Sequence, residues 1–430
     1  MRSAYTLLLY LATPFLFLRL GWLGFRNRGY WRGWTERLGF VHLPSSSRPR
    51  LWIHAVSVGE VQAATPLVHA LRRQYPDLEI LLTTTTPTGA ERVRRQLAGQ
   101  AFHCYLPYDL PGAIERFLKK VQPLVVIVME TELWPNLLHL CKQSNIPVIL
   151  ANGRLSQRSM QGYQRLPGLT RTMLAAIAAI AAQARDDADR FIRLGADPAR
   201  VSVIGNLKFD VSLPADIHDR AKLLRRALGE QRPIWIAAST HEGEEAIVLD
   251  ALDKLLVLEP AVLLLLAPRH PERFDHVFEL CQKRGLKIVR RSEKRDCIPK
   301  TQVFLIDTLG ELLFFYAVSD VAFVGGSLVS TGGHNPLEPA ASGVPILTGP
   351  HVFNFQAIFE LLREAQAAVT VATAEDLALR VAQFLADAER RQAAGMRGLQ
   401  VLEANRGAVD RIMKLVQKYL ELPGLRIDGF

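Results

Sequence analysis

The residues of this chain that could do chemistry are carboxylates and cations standing at the ends of apolar runs. Gly325-Gly326-Ser327 and Gly332-Gly333-His334-Asn335-Pro336-Leu337-Glu338 follow Val321-Ala322-Phe323-Val324, which reads as a buried strand. Pro339-Ala340-Ala341-Ser342-Gly343 then reads as a short helix. A strand, a glycine-rich loop and a helix start would turn bare backbone N–H groups outward, where they can hold an anion. Pro336 suits the first helical turn, where its missing N–H costs nothing. Glu338, one turn in, is placed to accept hydrogen bonds from sugar hydroxyls. The same residues also fit a plain glycine turn with a helix cap, because the spacing is not that of the G-x-G-x-x-G fingerprint.

Glu60 closes Ser57-Val58-Gly59-Glu60 at a strand-to-helix turn. Ser-x-x-Glu is a capping box, so a structural role is open. So is a second role, as a general base on an incoming hydroxyl, with Gly59 letting an acceptor approach the backbone. Glu130 and Glu132 end another buried run. Their alternation would turn both to one side of an extended chain, either for acid/base work or to bond a neighbouring loop. Lys208 lies just past a strand, either solvated or placed to neutralise an anionic substrate or leaving group. Pro268-Arg269-His270 ends a further strand, where Arg can clamp a phosphate or carboxylate. Other patterns lead nowhere. His241-Glu242 lacks the second His of a zinc protease, Asp187-Ala-Asp189 sits at a helix start rather than at a metal, and no Gly-x-Ser-x-Gly elbow occurs.

The elements that position these residues alternate. The first half reads strand, helix, strand from Leu51 through Val201–Ile204, and the second half restarts the alternation at Ile234 after a polar stretch ending at Ala221. Ile177–Gln183 is Ala-rich and reads as a strand, though propensity alone would allow a helix. Leu309–Ala317 reads as a helix, and further helices run to about Leu420. Alternation of this kind means an α/β fold with doubly wound parallel sheets. Two such domains leave a cleft at their C-terminal strand edges, where ligands bind. The expected division is an anchor and basic linker at 1–48, a first Rossmann-like domain at 49–206, a linker at 207–221 and a second domain at 222–430.

Length and charge agree with this division. At 430 residues, two domains are the prior. Four cysteines without a C-x-x-C pair fit reduced thiols rather than a disulfide framework or zinc site. The formal net charge is +10, and no acid precedes Glu36, while Arg2, Arg19, Arg26, Arg28 and Arg32 do. Ala4–Leu18 is uncharged and runs through Arg19 into Leu20–Phe25, close to the roughly 20 residues of a full span. It ends in arginines with no small-x-small cleavage site, so an uncleaved anchor is expected, spanning or interfacial. Its basic C-terminal flank would keep the body in the cytoplasm against an anionic membrane surface.

The chain resembles the Kdo transferases of lipid A biosynthesis, which add 3-deoxy-D-manno-octulosonic acid to a lipid A precursor. The resemblance rests on His54–Glu60, Thr84–Gly89, Tyr105–Leu110, Met129–Asn136, Leu207–Asp210, Ser239–Glu245, Pro268–Phe274, Gly325–Leu328 and Gly332–Glu338. It implies a GT-B fold and an inverting transfer from CMP-Kdo to lipid IVA that requires no metal or cofactor, with no nucleic-acid partner, at the cytoplasmic side of an inner membrane. By that resemblance the first domain takes the acceptor and the second the donor. Glu60 looks like the proton acceptor, and Glu130 and Lys208 look like transition-state stabilisers. Pro268, Arg269, Leu309, Gly310, Glu311, Asn335, Pro336, Leu337 and Glu338 look like the CMP contacts. Leu309 stands where close relatives often carry Met. Two other readings compete: a GT-B enzyme or epimerase using a UDP-sugar, and a membrane-tethered nucleotide-binding protein without turnover. Activity with CMP-Kdo against UDP-sugars separates them.

Overall fold

Runs such as Leu124–Met129 and Leu263–Ala267 are apolar on both faces, which suits strands covered by helices on both sides. In the computed structural model, which describes residues 1–44, 47–211, 213–295 and 297–421, they are the centres of two sheets. The first contains β1 (Arg50–His54), β2 (Glu79–Thr84), β3 (Phe102–Tyr105), β4 (Pro123–Met129), β5 (Val148–Gly153), β6 (Ala179–Ala182) and β7 (Val201–Val203). The second contains β8 (Ile234–Thr240), β9 (Leu263–Pro268), β10 (Ile288–Arg290), β11 (Val303–Leu305), β12 (Val321–Val324), β13 (Ile346–Thr348) and β14 (Ala368–Thr370). The orders are β3-β2-β1-β4-β5-β6-β7 and β10-β11-β9-β8-β12-β13-β14, with every pairing parallel. Strand order reverses between β1 and β4 and between β8 and β12, and ligands of open α/β sheets bind beyond the strand ends at such reversals.

Two compact units result, Met1–Asp210 with Asn405–Phe430, and Val211–Ala404. The expected 222–430 domain therefore loses its last helix. Ala408–Leu420 buries Ile412, Met413, Val416 and Leu420 among Leu67, Leu71 and Ile127 on one face of the first sheet. Asp210 fastens that helix by accepting the N–H groups of Gly407 and Val409. Nor is 1–48 a detached anchor. Leu20, Arg37 and Val41 are buried, Arg37 donates to the Thr85 carbonyl at 2.9 Å, and Glu36 accepts the Tyr105 N–H at 2.7 Å.

Other differences have local causes. The expected 207–221 linker runs into a helix, Ile217–Leu228, whose Ile217, Ala221 and Leu228 are buried. The helix expected from Leu309 starts at Leu312, because Gly310 takes a left-handed φ of 85°. The strand expected to Ile204 stops at Val203, and β14 follows a helix where only helices were expected. The Ala-rich Ile177–Gln183 does hold a strand, since it lies between β5 and β7 in the sheet. Position in the sheet overrides alanine's helix propensity there.

Candidate active site

Glu60, Glu130 and Lys208 all belong to the first unit. Ser57 caps the helix Val58–Gln74, so the expected turn is already its first helical turn. The Glu60 N–H donates to Ser57 Oγ at 3.4 Å. The Glu60 carboxylate accepts the Val56 N–H at 2.9 Å and the Ser57 hydroxyl at 3.0 Å. The cap is thus built, and its carboxylate residue is 7% exposed. Burial pushes the Glu60 carboxyl up from 4.5 to about 7. The charges of Glu130 and Glu132 add to this, while the bonds from Val56 and Ser57 oppose it. His54, which opens the same segment, is fully buried against Thr83 Oγ1 at 2.9 Å. Burial lowers its pKa to about 4, so it is a neutral structural imidazole.

Glu130 follows β4, the neighbour of β1 across the order reversal. It is not part of an extended pair with Glu132, as the alternation suggested. Its φ is 56°, a left-handed value rare outside glycine, and the chain turns there. Such strain clusters where function fixes a side chain. Glu130 N–H donates to the Ala151 carbonyl at 2.8 Å, and the Thr131 hydroxyl to that of Arg154. Lys208 lies in a short 3-10 turn, Leu207–Phe209. Asn152, at the end of β5, holds that turn by accepting the Leu207 N–H at 3.0 Å. Burial lowers the Lys208 pKa, while the carboxylates of Glu130 and Glu60 raise it. A half-buried ammonium therefore shares one electrostatic neighbourhood with a buried carboxyl that ionises near neutrality. That combination suits proton removal from a hydroxyl beside developing charge.

The Glu60 carboxyl also predicts a pH effect on stability. A folded pKa above the unfolded one means the folded protein holds the proton more tightly. Its contribution is full below pH 4.5 and is lost as pH rises through about 7. Every tenfold gain in proton affinity on folding corresponds to about 1.4 kcal/mol. Denaturant unfolding should show wild type losing ground against Glu60→Gln between those values and holding steady above them. Parallel pH profiles would show that Glu60 titrates normally.

The second unit carries the other residues. After β12, the loop departs from expectation in one respect. The N–H groups of Gly326, Ser327 and Leu328 do not face outward for a ligand. They donate to the buried Glu244 carboxylate at 2.6, 2.8 and 2.8 Å, and the His241 N–H joins them at 3.0 Å. The short helix Leu337–Ala341 has Pro336 at its start. Asn335 caps it by accepting the Leu337 N–H at 3.1 Å and donates to Glu338 at 3.3 Å. Arg269 follows β9, and its N–H bonds the Thr240 carbonyl at 3.0 Å. Pro268 ends that strand, next to β8. Leu309 and Gly310 form an exposed turn. The Glu311 carboxylate is held by Arg291 at 2.8 and 3.1 Å and by Thr308 at 2.6 Å, and the Arg291 bonds depress its pKa.

Three residues that the sequence reading left out of the site stand with these. His241 Nε2 lies 2.8 Å from His334 Nε2, and the His270 ring is edge-on to His241 at 5.2 Å. Each follows a strand or its loop, but only the sheet order, β9-β8-β12, shows that they meet. Asp187, set aside as a metal ligand, accepts the Leu155 N–H at 2.8 Å and pairs with Arg190.

A family profile described as 3-deoxy-D-manno-octulosonic-acid transferase (kdotransferase) matches residues 32–211. The 3-deoxy-D-manno-octulosonic acid transferase of Haemophilus influenzae is 45% identical over 422 residues, 98% of this chain and 99% of that protein. A crystal structure of the C-terminal CMP-Kdo binding domain of WaaA from Acinetobacter baumannii is 39% identical, covering 44% of this chain and 98% of that one, with a TM-score of 0.42. The Neisseria meningitidis UDP-GlcNAc 2-epimerase structure is 13% identical, covering 86% of this chain and 100% of that one, with a TM-score of 0.56. That last likeness is one of fold, GT-B-like.

Proposed function

Because this chain belongs to the 3-deoxy-D-manno-octulosonic acid (Kdo) transferases, a family of glycosyltransferases, we propose that it moves Kdo from CMP-Kdo onto lipid IVA with inversion, Glu60 being the general base. The observation that carries the assignment is the buried Glu60 carboxyl, raised to about 7 beside Glu130 and Lys208. In this reading the acceptor hydroxyl loses its proton to Glu60 while its oxygen bonds the ketosidic carbon. The bond from that carbon to the phosphate oxygen breaks, and CMP leaves with the electron pair. Oxocarbenium character at the sugar is stabilised by Glu130, and the developing anionic charge by Lys208 and Arg269. Asn335 and Glu338 hold the ribose, and the Leu309-Gly310-Glu311 turn meets the base through its backbone. The Arg291 clamp on Glu311 favours a backbone contact there.

Incubation with CMP-Kdo and lipid IVA, read by mass spectrometry of the lipid, tests the reading, with UDP-sugars as the comparison. Lipid unchanged with CMP-Kdo but extended with a UDP-sugar would replace it. Glu338→Ala should weaken CMP binding by about 1.5–3 kcal/mol if it accepts hydrogen bonds as a carboxylate. An unchanged CMP titration on folded protein would remove Glu338 from the site.

The helix Arg2–Arg26 is long and apolar enough to cross a membrane. Its inner face is occupied by its own unit: Thr6 bonds Asn136, Phe17 meets Tyr108 and Trp34, and Gly24 lies under Trp31. Its outer face exposes Leu7, Leu11, Phe15, Leu18, Trp22 and Phe25 in one helical stripe. That division favours a helix lying in the interface of a cytoplasmic inner-membrane leaflet over a spanning one. Removing 1–48 would strip buried packing, so substitution is the cleaner test. Leu11→Ser, Phe15→Ser and Leu18→Ser together should release the protein from membranes without lowering its melting temperature, each losing burial of about 25 cal/mol per Å². Full sedimentation of that variant with membranes at high salt would place the anchor elsewhere.

A further inference from the structure

The start of the helix Arg2–Arg26 is fastened to the first unit by polar contacts as well as packing. The Thr6 hydroxyl donates to Asn136 Oδ1 at 3.0 Å. Tyr5 bonds the buried Asp109 carboxylate, which also accepts the N–H groups of Asn136 and Leu137 at 2.9 and 2.7 Å. Asp109 thus joins this helix to the start of the helix Pro135–Gln143. Met1 reaches the start of the helix Pro167–Leu174, where a Cβ on Gly168 would collide with the Met1 methyl. Three helices therefore frame one groove, and Arg2 is part of its wall.

Two cavities of about 360 and 440 Å³ lie along that groove and share Arg2, His139 and Gln143. The first is lined by Leu169, Met173 and Ala176 as an apolar wall, with the exposed Lys142 beside them. The second continues to Leu7 and Tyr10, both exposed on the helix Arg2–Arg26. Charge is one-sided where the cavities meet. Arg2 and Lys142 line the first cavity, which has no carboxylate among its described lining residues. Burial, then the charges of Arg2 and Lys142, hold the His139 pKa below its ordinary value, so the three share one electrostatic neighbourhood. The acids nearby are Glu115, on the wall of the second cavity, and Asp109, already engaged by Tyr5 and two N–H groups. Lys142 Nζ meets the Ala175 carbonyl at 3.5 Å, a long contact that leaves ammonium donors for another acceptor.

We propose that this groove binds one anionic phospholipid of the bilayer, its headgroup phosphate between Arg2 and Lys142 and its acyl chains along Leu7 and Tyr10. The inference rests on the interfacial reading of the helix Arg2–Arg26. Such a helix sinks its apolar face to the headgroup boundary, which sets a groove beside its start at the depth of lipid phosphates. A lipid also covers the apolar wall, which a free phosphate would leave wet. Lys142 stands in the last turn of its helix, beside Ala175 ahead of β6. That is the N-terminal edge of the first sheet, opposite the edge where Glu60 and Glu130 follow their strands. The bound molecule is therefore bilayer lipid and not the acceptor at the reacting centre.

The test is calorimetric titration of the full chain with a short-chain phosphatidylglycerol that stays monomeric. The matched phosphatidylcholine and glycerol phosphate are the comparisons. Wild type should bind phosphatidylglycerol at a single site, about tenfold or more tighter than either comparison. Arg2→Gln and Lys142→Gln should each weaken it about tenfold, the worth of one charged hydrogen bond, whereas Arg28→Gln on the basic flank should change nothing. Thr172→Trp keeps every charge but fills the first cavity, and it should abolish binding. Phosphatidylglycerol affinity within about threefold of wild type in folded Arg2→Gln and Lys142→Gln would overturn the assignment. So would glycerol phosphate bound as tightly as the lipid, or Thr172→Trp binding like wild type. The triple variant Leu11→Ser, Phe15→Ser and Leu18→Ser keeps two failures apart. If it stays on membranes while wild type titrates with phosphatidylglycerol, the interfacial reading fails and the groove stands. If it is released but wild type binds no phosphatidylglycerol, the groove fails and the interfacial reading stands.

Discussion

Glu60→Gln is expected to lower kcat by about 10² to 10⁴-fold, the usual worth of general-base catalysis, while the protein melts close to wild type. Glutamine can keep the cap. Its oxygen can still take the Val56 N–H and its amide can face Ser57 Oγ, which today receives the Glu60 N–H at 3.4 Å. What glutamine cannot do is accept the proton of a hydroxyl. The pH profile should follow the same logic. Wild-type kcat/KM should rise with pH to a plateau above about 7, where burial has placed the carboxyl, and the residual rate of the variant should lack that limb. CMP affinity should not move, because the residues assigned to the nucleotide lie in the other compact unit. A folded variant that turns over within about threefold of wild type would sink the assignment, and Glu130 would be the next candidate.

Glu244→Ala is expected to be the most damaging single change to the second unit. Its carboxylate is fully buried and is the acceptor for four backbone N–H groups. Each buried donor left without a partner costs about 1–3 kcal/mol. Four of them sum to about 4 kcal/mol or more, a large share of the roughly 5–15 kcal/mol that holds a domain folded. At about 2–4 °C per kcal/mol for a domain of this size, the unfolding transition should fall by about 10 °C or more. Glu244→Gln is no rescue, because its amide group would face two of the donors. A calorimetric transition within about 2 °C of wild type for Glu244→Ala would mean that water or another acceptor serves those amides.

That carboxylate also shows where reading the sequence stops. The strand, glycine loop and helix around His334 were legible, because apolar runs and glycines report local conformation. The acceptor of the loop's N–H groups was not, because Glu244 lies more than eighty positions away and only the pairing of β8 with β12 brings it there. The same holds for His241 and His334. Glu60 was legible as a cap, and the structure displays that cap together with a carboxyl that burial perturbs in the same side chain, while its work as a base stays a proposal. Ile217–Leu228 was readable from Ile217, Ala221, Leu224 and Leu228 at helical spacing, but the surrounding charges masked that stripe. The packing of Ala408–Leu420 onto the first sheet could not be read from a pattern that shows only that one face is apolar.

The composition of the first unit, Met1–Asp210 completed by residues beyond Ala404, bears on how the chain is made. A ribosome delivers most of that unit, then the whole of Val211–Ala404, before the helix Ala408–Leu420 emerges. At about 5–20 residues per second the interval is roughly 10 to 40 s. Throughout it the second unit can fold as a continuous stretch, while the sheet face awaiting Ile412, Met413, Val416 and Leu420 stays open. The unit that begins synthesis is thus the one that finishes last, and nascent chains stalled before residue 405 should be the ones that chaperones hold.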